Sequence, residues 1–109
     1  MSVIVVANPK GGVGKSTLAT NVAGALAKSG HAVMLGDVDR QQSSRQWLAL
    51  RAPQLPLIRS WELSHNDIVR PPKGTTHVVL DTPAGLHGKR LDAVLRIATK
   101  LLIPLQPSL

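Results

Sequence analysis

Residues 8–17 read NPKGGVGKST, from Asn8 to Thr17. From Gly14 onward the stretch follows the phosphate-binding pattern G-x-x-x-x-G-K-[ST]. Two positions depart from it. Pro9 stands where the first glycine should fall, and Lys10 is a second lysine that the pattern does not ask for. The chemistry is nevertheless complete. Gly11, Gly12 and Gly14, with Val13 between them, let the backbone turn tightly and aim several N–H groups at one point. A helix opening near Ser16 adds the positive end of its dipole there. Lys15 supplies a mobile positive charge for terminal phosphates, the Ser16 hydroxyl suits Mg²⁺, and Thr17 can bond another phosphate oxygen. Pro9 fixes one backbone angle and removes one N–H, leaving the other donors in place. The plain alternative is a glycine-rich turn with incidental lysines. It needs these residue types to coincide by chance, about once in 10⁵ chains of this size at average composition.

The surroundings of the loop set the fold. Residues 2–7 (SVIVVA) form a β-branched run bounded by Asn-Pro and read as a buried strand. Residues 16–29 (STLATNVAGALAKS) read as a helix, with Leu18, Val22, Ala25 and Leu26 at helical spacing and Gly30 as its stop. Residues 32–35 are a second strand, 43–50 a second helix closed by Pro53, and 57–58 a short third strand. Residues 60–75 are polar and loop-like, with one helical turn expected near 66–69. Residues 77–80 (HVVL) are a fourth strand ending at Asp81. Residues 89–99 are a helix whose Leu91, Val94, Leu95 and Ala98 form the core stripe, and 101–103 are a fifth strand. Continuous apolar strands alternating with helices predict an α/β fold with a mostly parallel sheet and right-handed crossovers. The chain is read as a single domain over residues 1–109. It stops just after a strand, where the next helix of a doubly wound sheet would begin, so it reads as truncated.

Composition narrows the function classes. Aromatic residues make up 2%, so the core must be built from Val, Leu, Ile and Ala. There is no cysteine, which removes disulfides, thiolate metal sites and iron–sulfur clusters and fits a cytoplasmic location. No apolar stretch approaches the roughly 20 residues needed to span a bilayer. The net charge of +7 favours polyanionic partners, although two of the lysines belong to the glycine loop and the other basic residues are scattered. Trp47 and Trp61 read as packing residues rather than base-stacking platforms. His31, His65, His77 and His87 share no ligand spacing, so no metal other than Mg²⁺ is expected.

The stretch K-G-G-V-G-K-S-T, with its leading lysine, resembles the deviant Walker A motif of the ParA/MinD family of ATPases. The resemblance covers nearly the whole chain, and it implies a fold of P-loop NTPase type. It implies that Lys10 reaches across an ATP-sandwiched homodimer to the partner's nucleotide and neutralises charge as the phosphoryl group leaves. Asp37-Val38-Asp39-Arg40-Gln41 resembles the D-x-D-P-Q segment of the ParA branch. By that likeness Asp39 orients the attacking water and supports the Mg²⁺ shell, and Asp37 stabilises the loop. Asp81-Thr82-Pro83-Ala84-Gly85 resembles the end of the Walker B strand with its switch loop. Asp81 would then hold Mg²⁺ through water, and Gly85 would let the loop sense the γ-phosphate. Taken without the loop, an Asp at a strand end is as readily a cap or turn residue.

Arg40 replaces the usual proline, and Gly36 stands where a larger apolar residue is common; both would loosen the first switch. Arg40 reads as a solvated arginine, with a phosphate contact as the alternative. The resemblance implies an Mg-ATP-dependent switch for partitioning a plasmid, chromosome or other cargo, with non-specific DNA and a partition-type protein as partners. No membrane partner is evident in this segment. Among relatives, metalloid-pump and nitrogenase-reductase types rely on cysteines, while Gln41 favours the ParA branch over MinD-like positioning ATPases. ATP over GTP rests on the resemblance alone. The reading from a different class is a fragment of weak or no activity that binds phosphate or nucleotide and self-associates.

Overall fold

A computed structural model of the chain describes residues 1–7, 15–37, 43–61, 73–82 and 88–103. Five strands and three helices alternate in it. They are β1 (Ser2–Val6), α1 (Lys15–Lys28), β2 (Val33–Asp37), α2 (Ser43–Leu50), β3 (Ile58–Trp61), β4 (His77–Asp81), α3 (Gly88–Ile97) and β5 (Lys100–Leu102). The strands form one sheet in the order β3-β2-β4-β1-β5, and every neighbouring pair is parallel. The expected α/β architecture is therefore present, with all strand pairs parallel. The turn expected near residues 66–69 lies outside the described residues.

Burial follows position in the sheet. The interior strands β1 and β4 are buried from their second residue onward, whereas edge strand β3 is buried only at its ends, Ile58 and Trp61, and edge strand β5 is largely exposed. Side chains along each strand point alternately to the two faces. Val6, Val33, Leu35, Ile58 and Val79 lie under α1, with Trp47 and Leu48 of α2 packed alongside. Val3, Val5, Met34, Trp61, Val78 and Leu80 form the opposite layer, against Val94, Ile97 and Ala98 at the end of α3. Each fully buried Val or Leu contributes about 1.5–3 kcal/mol relative to exposure.

Two helix faces differ from the sequence expectation. On α1 the deepest residues are Ala19, Ala23 and Ala27, with Leu18, Val22 and Leu26 flanking them and Ala25 exposed. A helix lying close over a sheet puts its smallest residues at the line of closest approach, so the larger ones flank it. On α3 Leu95 is 43% exposed, and Ile97 takes the place expected for it in the core. The helix also ends at Ile97 rather than at Thr99. The Thr99 backbone N–H and hydroxyl both donate to the Val3 carbonyl (2.8 and 3.0 Å), and Thr99 Oγ1 accepts from the Val3 N–H (2.8 Å). Pairing with β1 thus replaces the last helical turn.

Gly36 sits in β2 opposite Trp61 and Leu80. A Cβ added there would lie 2.7 Å from Leu80 Cδ2 and 3.2 Å from Trp61 Cε3. The volume that a larger residue would fill is taken by the Trp61 ring from the next strand. Trp61 is a core residue, as expected, and its indole Nε1 has no hydrogen-bond partner among the described residues.

Candidate functional site

The strand order creates one place where loops part. After β1 the chain crosses to β2 on one side, and after β4 it crosses to β5 on the other. β1 and β4 are neighbours, so their carboxyl ends mark the switch point beyond which open parallel sheets form their ligand crevice. Residues 8–14, the glycine-rich loop, leave β1 at this point, and α1 begins at Lys15. Lys15, Ser16 and Thr17 therefore form the first turn of α1, whose free N–H groups and dipole attract an anion.

Three strand ends are level here. Asp81 pairs in register with Val6 on one side and with Asp37 on the other. Asp81 is fully buried, and a carboxylate there is costly unless donors or a cation compensate it. Thr82 is fully buried too. Its hydroxyl donates to the Val6 carbonyl at 2.8 Å, and its backbone N–H donates to the same oxygen at 3.2 Å. On the other side of β1 the Ala7 N–H donates to the Leu102 carbonyl at 3.0 Å. The residues that launch the glycine loop are thus held from both flanks. Thr82, expected in the switch, anchors the loop base to the strand that carries Asp81. Nothing in the sequence pattern pointed to that tether, because its acceptor is a main-chain oxygen 76 residues away.

Of the other expected site residues, Asp37 ends β2, while Lys10, Gly11, Gly12, Val13, Gly14, Asp39, Gln41, Pro83 and Gly85 lie outside the described residues. No group of three or more His, Asp or Glu able to hold a metal ion occurs among the described residues. The residue types here are hard-oxygen ones: Asp81, buried at the end of β4, and Ser16, in the first turn of α1. They suit Mg²⁺, which is commonly held by one or two carboxylates together with substrate phosphates and water. No described helix is long and apolar enough to cross a membrane.

The opposite end of the sheet is electropositive. The His31 and His77 rings are tilted against each other with centroids 4.2 Å apart, and Thr76 Oγ1 lies 2.8 Å from His77 Nδ1. Burial, and then the neighbouring His31, Lys100 and chain amino group, hold the His77 imidazole below its usual pKa. Beside this pair is a cleft of about 440 Å³, lined in part by His31, Arg59 and Lys73. Sequence reading passed over it. The available signal was a Gly–basic pair at two strand entries, Gly30-His31 and Lys73-Gly74.

Comparison with known proteins bears on the carboxyl-end crevice. Residues 4–107 match the family described as the CobQ/CobB/MinD/ParA nucleotide-binding domain. The "Maintenance of carboxysome distribution protein A" of Gloeobacter kilaueensis is 37% identical over 108 residues, covering 97% of this chain and 50% of that protein. The "Chromosome-partitioning ATPase Soj" of Thermus thermophilus is 49% identical over 49 residues, covering 45% of this chain and 20% of that protein. The chain thus spans about half the length of the first relative and matches a smaller share of the second.

Proposed function

The chain belongs to the CobQ/CobB/MinD/ParA nucleotide-binding domain family, and on that premise we propose that it is the nucleotide-binding part of a ParA-like ATPase switch that dimerises around Mg-ATP. The observation that supports this reading is the switch point between β1 and β4, where the strand that runs into the glycine-rich sequence lies beside the strand that ends in buried Asp81. Lys15 and the first-turn N–H groups of α1 would neutralise and position the phosphates. Ser16 and Asp81, with Asp39 in support, would hold Mg²⁺, which when bound offsets charge on the phosphate oxygens. Asp39 would orient the attacking water, and Lys10 would act across the dimer on the partner's nucleotide. Asp37, Gln41 and the stretch Thr82, Pro83 and Gly85 would report the γ-phosphate, with the Thr82–Val6 bond transmitting strain between the two loops. The relatives' names support a cargo-positioning or partitioning role, with non-specific DNA and a partition-type protein as partners.

Three chains test the reading: the unmodified one, Lys15→Ala and Lys10→Ala, each assayed for ATP binding and turnover. The switch predicts lost binding in the first variant. In the second it predicts retained binding with lost dimer-dependent turnover. Indifference to both substitutions sinks it. A second reading, a self-associating fragment of weak activity, is favoured by one observation. β5 is an edge strand, and Leu101 in it and Ile103 just after it are nearly half exposed, a surface open to pairing with another strand. Concentration-dependent mass without ATP dependence would favour it.

A further inference from the structure

The cleft at the amino ends of β2, β3 and β4 lies at the far end of the sheet from the strand ends assigned above to the nucleotide. We propose that it is a second ligand site, for a compact, multiply charged phosphate compound. Its volume of about 440 Å³ falls within the range of small-molecule pockets. Val33, Met34 and Ala27 contribute apolar lining, and His31, Arg59 and Lys73 line it from three different segments. Among the described residues no carboxylate lines it, and neither Arg59 nor Lys73 is ion-paired.

The segments around it are held in place before any ligand arrives. α1 closes with the Gly30 N–H on the Ala27 carbonyl (3.0 Å) and the His31 N–H on the Leu26 carbonyl (3.2 Å), with Gly30 in the left-handed region at φ 92°. This paired capping pattern determines where His31 leaves the helix. Thr76 pins the β4 entry to the β2 entry. Its N–H donates to the Ala32 carbonyl (2.9 Å), and its hydroxyl accepts from the Ala32 N–H (3.0 Å). On the third side Arg51 donates to the Pro56 carbonyl through Nη2 (3.0 Å) and Nε (3.3 Å) while lying over the Trp47 ring. The cations are therefore presented from restrained backbone.

Charge selects the ligand. Two permanent cations and an imidazole, with Lys100 and the chain amino group near the same end, would be under-compensated by a single negative charge. A group carrying two or more charges on several oxygens matches them, and Arg and Lys favour phosphate oxygens. The concave shape with apolar lining fits a small molecule rather than the outside of a duplex.

The test is an amide NMR titration of the full chain carrying Lys15→Ala, with inorganic pyrophosphate as probe and a short DNA duplex as the second arm. Lys15→Ala disables the crevice at the other end, so failure here and failure of the nucleotide reading stay distinguishable. The expected result is saturable shifts at Gly30, His31 and Gly74, half-complete at or below about 1 mM pyrophosphate. Arg59→Gln and Lys73→Gln should each weaken binding about tenfold, the loss of one charge-assisted hydrogen bond. Both residues are exposed, so an unchanged spectrum away from the cleft confirms folding. Absence of saturable shifts, or shifts indifferent to both substitutions, overturns the proposal. So does a duplex that binds here when pyrophosphate does not.

Discussion

Gly36→Ala isolates the packing device that separates this sheet from a generic one. The added Cβ would stand 2.7 Å from Leu80 Cδ2, about 1 Å inside the optimal carbon–carbon separation of roughly 3.5–4.0 Å. Leu80 is fully buried in the layer with Val5, Val78 and Trp61, so its methyl cannot swing into solvent. The Trp61 ring, 3.2 Å away, blocks a second direction. Overpacking of this kind costs about 1–3 kcal/mol. Losing a glycine from the unfolded chain returns about 0.4–1 kcal/mol. The net expectation is a loss of about 1.3 kcal/mol, the difference of the two mid-range values. Guanidinium unfolding followed by tryptophan fluorescence reads it directly, with buried Trp61 as a reporter. A double-mutant cycle sharpens the attribution. Leu80→Ala alone should cost about 2–5 kcal/mol through its cavity. In that background Gly36→Ala should be neutral or stabilising, giving a coupling of about 1–2 kcal/mol. A Gly36→Ala chain as stable as the parent refutes the reasoning, as does a penalty that persists unchanged beside Leu80→Ala.

Thr82→Val keeps the shape and removes the hydroxyl bond to Val6; a loss of about 1 kcal/mol in urea unfolding is expected, and an unchanged midpoint would show that the backbone N–H suffices. On α3, Val94→Ala should cost about 1–2 kcal/mol while Leu95→Ala stays within about 0.5, since only the first is buried; the reverse order in thermal melts would restore Leu95 to the core. His77 has its pKa lowered on folding, chiefly by burial and then by His31, Lys100 and the chain amino group. Its contribution is therefore present above the unfolded value near 6.5 and is lost as pH falls through the lower folded value. The stability difference between the parent and His77→Gln should shrink from pH 7.5 to 5, and a pH-independent difference argues against the shift.

Much of this architecture was legible in the chain, for local reasons. The β-branched runs and the Gly30 stop depend on neighbours a few residues away, and the elements appeared where those signals stood. The residue types suited to phosphate and Mg²⁺ were equally legible, because that chemistry is written within residues 8–17 and at strand ends. Other features depended on contacts between residues far apart in sequence. Nothing local distinguishes Leu95 from Ile97 as the residue of α3 turned to the core; the packing of the helix on the layer of Val3, Val5, Val78 and Leu80 does. Gly36 looked like a loosened position until Trp61, 25 residues on, proved to fill its space. The order β3-β2-β4-β1-β5 places Asp81 beside both Val6 and Asp37, and only that order brings those strand ends level and makes a cleft of three strand entries. Sequence alone determined which groups this protein possesses and which short elements carry them. Tertiary structure decided which of them meet, because register and strand order are set by the packing of both sheet faces at once, a condition that no single segment contains.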